Sequence, residues 1–276
     1  MADTMISLLN TRPHPQVLTQ AIKQAWSSQV RVVEAPLQKL VSRSFNRDTN
    51  LPSSCLDADI WVFVSANAVA FFNQALQQYK LPAPPREGVA LVAVGKATWQ
   101  ALADLGWAGL QPMPERFDSE GMLALPIFNQ VAGKRVVIVR GEVGRDWLAE
   151  QLILQGAEVH FCPVYRREAL PLNYKSWQNW LSPLGLSTTD SRPISPWALL
   201  TSQENAQIWW QHYQAWCMQA QSLPRNMGVI ALTPSISDCL QALGFQGQQL
   251  ICENASQSSI LNTLAQLVDA RFDQEK

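Results

Sequence analysis

The 276-residue sequence predicts an α/β protein whose parallel sheets are covered by helices on both faces. Short apolar runs alternate with stretches of helical periodicity, the pattern of strands buried on both sides. A second observation is an internal repeat. VAVGKATWQALADLGW (92–107) aligns without a gap on IALTPSISDCLQALGF (230–245), with Ala93/Ala231, Leu102/Leu240, Leu105/Leu243 and Gly106/Gly244 identical. The third is composition: 47% apolar and 16% charged residues supply a core, at a length that holds one large domain or two ordinary ones.

Each element has its own signal. MISLLNT (5–11) is a mostly apolar strand, and Val17, Ala21, Ile22 and Ala25 at helical spacing predict the helix after it. VRVVEAPL (30–37) is the next strand. IWVFVS (60–65) leads into a helix from about residue 67 to 79. VALVAV (89–94) leads into a helix ended by Gly106, since glycine adopts the left-handed conformation that stops helices. The loop PERFDSEG (114–121) starts a helix at about Met122, and RVVIVR (135–140) is a strand. A helix over 145–155, ended by Gly156, precedes the strand AEVHFCPVY (157–165). WALLTS (197–202), VIALT (229–233) and QLICEN (249–254) are the later strands, closed by a helix over about 258–270. Trp177, Trp180, Trp209 and Trp210 sit in helical patterns and read as packing residues. Stretches 43–57 and 182–196, polar and rich in Pro and Ser, are loops.

The repeat extends along the chain. The strand–helix–strand unit at 5–37 recurs at 135–164, the strand ending in Ser65 recurs as that ending in Ser202, and 89–107 recurs at 228–245. Ser119-Glu120-Gly121-Met122 recurs as Ser258-Ser259-Ile260-Leu261. This order gives two similar lobes. Two assemblies satisfy it: sequential domains, 1–131 and 132–276, or a crossed arrangement in which the first unit packs with the last three. Periodicity does not choose between them.

Several function classes are excluded. A net charge of −1 argues against a dedicated nucleic-acid binder. No apolar run approaches the ~18 residues that span a membrane, and the N-terminus has too short an apolar stretch for a signal peptide, so the cytoplasm is the expected compartment. The five cysteines are scattered and read as small buried hydrophobes, and the three histidines stand apart, so no metal site is expected. GxGxxG, Walker A and GxSxG patterns are absent.

In parallel α/β domains ligands bind beyond the carboxyl ends of strands, where helix N-termini present unpaired N–H groups. That rule selects Thr11-Arg12-Pro13, Ser65-Ala66-Asn67, Val94-Gly95-Lys96, Arg140-Gly141-Glu142, Thr201-Ser202-Gln203 and Thr233-Pro234-Ser235. Hydroxyls, glycines and the cations Arg12, Lys96, Arg140 and Arg145 suit carboxylates or phosphates. Each also has a plain structural reading. Ser65, Ser202 and Ser235 are ordinary N-caps, Gly95 and Gly141 permit tight turns, and Arg140 closes a surface ion pair. Glu142 and Asp146 are dipole-favoured charges at a helix start. Repetition of the same residue types in both halves points to a two-domain cleft for an anionic ligand.

Taken in order, LLNTRP (8–13), VFVSANAV (62–69), VAVGKATWQALADLGW (92–107), FDSEGMLAL (117–125), RVVIVRGEVGRDWLAEQL (135–152), GAEVHFCPVYRR (156–167) and LLTSQENA (199–206) resemble uroporphyrinogen-III synthase of the bacterial type. The resemblance runs over about 6–270. It implies two flavodoxin-like domains joined by a two-stranded linker: 1–36 with 168–276, and 41–162, with 37–40 and 163–167 crossing between them. It implies cyclisation of the linear tetrapyrrole hydroxymethylbilane to uroporphyrinogen III, with loss of water and inversion of the last ring. The family needs no metal or organic cofactor. The substrate carries eight carboxylates and forms a reactive azafulvene once hydroxide leaves, so a holding, water-excluding site suffices.

The family's linker tyrosine falls on Tyr165, expected to assist hydroxyl departure as a hydrogen-bond donor. Expected substrate contacts are Arg12, Ser65, Gly95, Lys96, Thr98, Ser119, Arg140, Gly141, Ser202, Thr233 and Ser235. The family's GPxT-like turn falls on Thr233-Pro234-Ser235-Ile236, where Thr233 replaces glycine and Ile236 replaces threonine. The expected partner is this one small molecule, met by a monomer without nucleic acid or membrane. The alternative is a non-catalytic two-lobed anion-binding or synthase-derived interaction module.

Overall fold

The computed structural model describes residues 5–43, 57–81, 88–116, 119–184, 196–219 and 227–273. The stretches 43–57 and 182–196, Cys55 and part of the 114–121 loop fall largely outside them. The chain divides into two units. One takes both chain ends, Met1–Lys39 with Glu168–Lys276, and the other is the continuous segment Leu40–Arg167.

In chain order, β1 (Ile6–Asn10), α1 (Gln16–Ala25), β2 (Val30–Glu34) and β3 (Gln38–Ser42) come first. They are followed by β4 (Ile60–Phe63), α2 (Ala66–Tyr79), β5 (Ala90–Ala93), α3 (Lys96–Leu105) and the short α4 (Ser119–Leu123). Next are β6 (Arg135–Gly141), α5 (Trp147–Leu154), β7 (Glu158–Ala169) and α6 (Tyr174–Leu181). The remainder is β8 (Trp197–Leu200), α7 (Gln203–Gln219), β9 (Gly228–Ala231), α8 (Pro234–Ala242), β10 (Gln249–Ile251) and α9 (Gln257–Asp273).

In the unit built from both ends the sheet order is β10-β9-β8-β1-β2, and every neighbouring pair is parallel. Every residue of β1, β8 and β9 is buried, which is why these strands are written as apolar runs. β1 pairs with β8, so the first strand–helix–strand unit joins the last three, the crossed arrangement of the two that periodicity left open. Counted along this unit the order is 2-1-3-4-5, that of flavodoxin-like sheets. Trp177, Trp209 and Trp216 are buried in its core, with Trp177 and Trp216 stacked at 5.1 Å.

The Leu40–Arg167 unit has sheet order β3-β7-β6-β4-β5. Alternation divides its apolar residues between two faces. Trp61, Phe63, Val137 and Val139 pack on one side with Phe72 of α2 and Leu102 of α3. Ile60, Val62, Val136 and Ile138 pack on the other with Met122, Leu148 and Leu152. Each such fully buried side chain contributes roughly 1.5–3 kcal/mol. Beyond β5, Leu110 makes one parallel bridge to Leu91, in the place that β10 takes beside β9 in the other unit. The repeat holds in three dimensions: β5 and α3 recur as β9 and α8 in the register of the sequence alignment. Each helix is followed by a glycine of positive φ: Gly106, the C-cap of α3, at +66°, and Gly244, just after the C-cap Leu243 of α8, at +88°.

Three boundaries differ from the sequence expectation. The strand expected over 30–37 stops at Glu34, because Pro36 has no N–H to give a neighbouring strand, and the chain resumes as β3. The strand expected over 157–165 continues to Ala169. The helix expected from 145 begins at Trp147, so Glu142 lies in the preceding loop and is not paired with Asp146 along a helix. The chain passes between units at Lys39/Leu40 and at Arg167/Glu168, within β3 and β7, which are neighbours in the sheet order. Arg43 N–H donates to the Val164 carbonyl at 3.0 Å and Leu170 N–H to that of Leu37 at 2.9 Å. One number falls as the other rises, as in antiparallel strands.

Candidate active site

In the Leu40–Arg167 unit, the carboxyl ends of β4, β5 and β6 and the later part of β7 surround a cavity of about 760 Å³. Val64 and Ser65 follow β4, Val94 follows β5, Arg140 and Gly141 end β6, and Tyr165 and Arg167 come from β7. The loop between β6 and α5 adds Arg145. The wall is therefore part apolar and part charged, with Arg140, Arg145 and Arg167 outnumbering the acid Glu120.

Ser65 is the N-cap of α2, its Oγ accepting the Ala68 N–H at 3.1 Å. The hydroxyl hydrogen is not used by that bond and is available to a ligand. Gly95 is the N-cap of α3 without a side-chain cap, which leaves N–H groups of the first turn uncapped beside the exposed Lys96. Its φ of −142° is extended backbone, so a tight turn is not the reason for glycine there. Thr98 is only 4% exposed, on the inner face of α3 with Leu102. Ser119 opens α4.

Arg140 is not a surface ion-pair residue. Its side chain is 8% exposed, and Nη1 donates to Asp146 Oδ1 at 2.7 Å. Nε donates to the Gly141 carbonyl at 3.3 Å, and the guanidinium lies 4.6 Å from the Phe161 ring centroid. Gly144 leaves room for it, since a Cβ there would stand 2.7 Å from Nη2. The guanidinium thus fastens the loop that carries Arg145. Asp146 neutralises it, leaving Arg145 and Arg167 as the exposed cations of the wall.

Tyr165 is 6% exposed and stacks on Phe71 at 5.2 Å. Its backbone carbonyl accepts the Glu142 N–H at 2.8 Å. Among the described residues its hydroxyl has no hydrogen-bond partner, and the residue lines the cavity. Phe71 is absent from the sequence expectation, and Asp146 enters it only as a helix-start charge, not as the partner of Arg140. Their partners are distant in the chain or in an irregular loop, and no periodicity signals them.

The unit built from both ends carries the other strand-end residues. Arg12 is half-buried after β1, and burial pushes its guanidinium pKa down from the ordinary value. Ser202 caps α7, accepting the Asn205 N–H at 3.1 Å. Ser235 is not an N-cap: α8 starts at Pro234, which suits the first helical position, and Thr233 is the cap residue. The two hydroxyls hydrogen-bond each other at 3.0 Å. Beneath them lies a buried polar network. Thr11 Oγ1 reaches the Leu199 carbonyl and lies 3.0 Å from Asn205 Oδ1, which also accepts the Thr201 N–H at 3.2 Å. Asn10 Nδ2 donates to the Pro15 carbonyl at 3.0 Å and to Thr19 Oγ1 at 3.1 Å. Asn205 has a legible signal, standing three residues after Ser202 in a Ser-x-x-Asn pattern.

Among the described residues, no group of three or more His, Cys, Asp or Glu stands close enough to hold a metal ion. No described helix is long and apolar enough to cross a membrane.

A family model described as uroporphyrinogen-III synthase HemD matches residues 20–262. The uroporphyrinogen-III synthase of Salmonella typhimurium is 27% identical over 268 residues, covering 94% of this chain and all of that one. That of Escherichia coli K12 is 27% identical over 211 residues, covering 75% of this chain and 79% of its own. The crystal structure of uroporphyrinogen-III synthetase from Helicobacter pylori superposes with a TM-score of 0.58 at 15% identity, over 95% of this chain and all of that chain. A mutant uroporphyrinogen III synthase from Thermus thermophilus gives 0.55 at 13%, over 96% and 99%. At those identities the structures speak for the fold. The family match runs through both units and most of the length, and the chain belongs to the uroporphyrinogen-III synthase family.

Proposed function

We propose that the chain closes hydroxymethylbilane to uroporphyrinogen III, inverting the terminal pyrrole ring and releasing water, as a cyclising lyase of tetrapyrrole biosynthesis. The observation that carries this is the family match from residue 20 to 262. The site chemistry supports it. The substrate's carboxylates need cations and free N–H groups, which Arg145, Arg167, Lys96 and the first turn of α3 offer in one unit. Arg12, Ser202, Thr233 and Ser235 are the candidate contacts of the other. The two units act as the substrate-holding domains, with 37–40 and 163–167 as the segments between them.

Tyr165 is the candidate proton donor. As the C–O bond of the hydroxymethyl group breaks, the departing hydroxide takes the phenolic proton and leaves as water, and the bilane becomes an azafulvene. For the terminal ring to invert, the azafulvene methylene bonds the substituted α-carbon of that ring, and the bond from this carbon to its meso carbon breaks. The meso carbon then bonds the ring's free α-carbon, which loses the proton that restores the phenol, so hydroxymethylbilane yields uroporphyrinogen III and water in balance. The reading includes a cytoplasmic monomer without membrane partners, and the net charge of −1 speaks against a nucleic-acid partner.

The test is incubation with enzymatically made hydroxymethylbilane, oxidation and separation of porphyrin isomers. Type III isomer is the expected product. Type I alone, which forms spontaneously, would sink the synthase reading in favour of a non-catalytic binding module.

A further inference from the structure

Between β6 and β7 the parallel register breaks once. Arg140 pairs with Pro163, but Gly141 pairs with Tyr165, so Val164 is the extra residue of a bulge. In a regular strand consecutive residues point to opposite faces. Here Val164 and Tyr165 are both buried, at 0% and 6% exposure. A bulge re-aims the side chains beside it, and Tyr165 is re-aimed into a slot. Phe71, on α2, stacks on its ring with the planes 28° apart. Gly141 approaches so closely that a Cβ there would stand 2.9 Å from both Cε2 and Cζ of Tyr165 and 3.1 Å from Oη. Gly141 has no left-handed φ, so its backbone admits any residue. The tyrosine ring is what requires glycine. No hydrogen bond among the described residues orients the hydroxyl, so packing on the ring must.

We infer that Gly141 and Phe71 are positioning residues for Tyr165: acting on its ring, they fix where the hydroxyl stands in the cavity wall. This rests on the reading of Tyr165 as proton donor. Gly141→Ala adds a methyl that displaces the ring, and Phe71→Leu removes the flat surface it leans on. A misplacement of about 1 Å is worth up to roughly a hundredfold in rate.

The experiment is a pair of double-mutant cycles on the full chain, with kcat and KM measured for type III product. Each single variant is expected to lower kcat about tenfold or more with KM within about twofold, and each to add less than about twofold in the Tyr165→Phe background. Losses that multiply in that background would overturn the inference, because the residues would then act on something other than Tyr165. Normal kcat in both folded single variants would overturn it as well. If Gly141→Ala does not fold by circular dichroism, the Phe71→Leu cycle decides alone. The underlying reading fails separately: near-normal turnover in Tyr165→Phe removes the proton-donor role and this inference with it. Absence of type III product from the unmodified chain removes the synthase reading itself.

Discussion

At the scale of the residue, Tyr165 and Asn205 define two kinds of contribution. Tyr165 lines a cavity wall, and among the described residues its hydroxyl has no hydrogen-bond partner. Tyr165→Phe is therefore expected to lower turnover more than tenfold, about 1.4 kcal/mol of barrier or more, while thermal unfolding shifts little. An equal fall in melting temperature and activity would make the residue structural. Asn205 is the opposite case. It is fully buried, and its side chain joins the carboxyl ends of β1 and β8 through Thr11 and Thr201. Asn205→Ala leaves the Thr201 N–H without its acceptor, an expected loss of about 1–3 kcal/mol in denaturant unfolding. Retention of full stability would show that water replaces the amide.

At the scale of the element, the helix ends carry the repeat most faithfully. Gly106 and Gly244 both have positive φ, and their N–H groups turn back to Ala103 and Gln241 at 3.0 and 2.9 Å. A Cβ at either position meets nothing within 4 Å, so only backbone conformation opposes a side chain. Alanine at each is expected to cost about 1–2 kcal/mol, in equal measure at the two sites, by thermal unfolding. Gly95, with extended backbone and open space, should accept alanine without loss of stability. A large effect at Gly95 and none at Gly106 would show that these glycines are kept for contacts.

For the whole molecule, the strands covered on both faces were legible because burial on two sides writes itself as an apolar run, as in Ile60–Phe63 and Arg135–Gly141. β3 was not legible in the apolar pattern, and only the family resemblance, with its two-stranded linker over 37–40, implied it. Gln38–Ser42 has no apolar run, and its extended form comes from its neighbour β7, far along the chain. The site divides in the same way. Strand-end positions followed from topology, but the burial of Arg140 depends on Phe161 and Gly144, and the slot of Tyr165 on Phe71 and a bulge. None of these is local. The burial of Thr98 was readable, since it lies one turn before Leu102 on the same helical face.

The division of the chain also sets an order of birth. Leu40–Arg167 is continuous, so its sheet can be completed while the remaining residues are still being translated. The unit that begins with Met1–Lys39 has no such option, because β1 pairs with β8 and β10 is the penultimate element. At ribosomal speeds of about 5–20 residues per second, β2 follows the first strand within a few seconds, but β8 follows only after roughly ten to forty. During that interval the edge of Ile6–Asn10 that takes β8 in the finished sheet has no strand beside it, so this unit is completed after the continuous one.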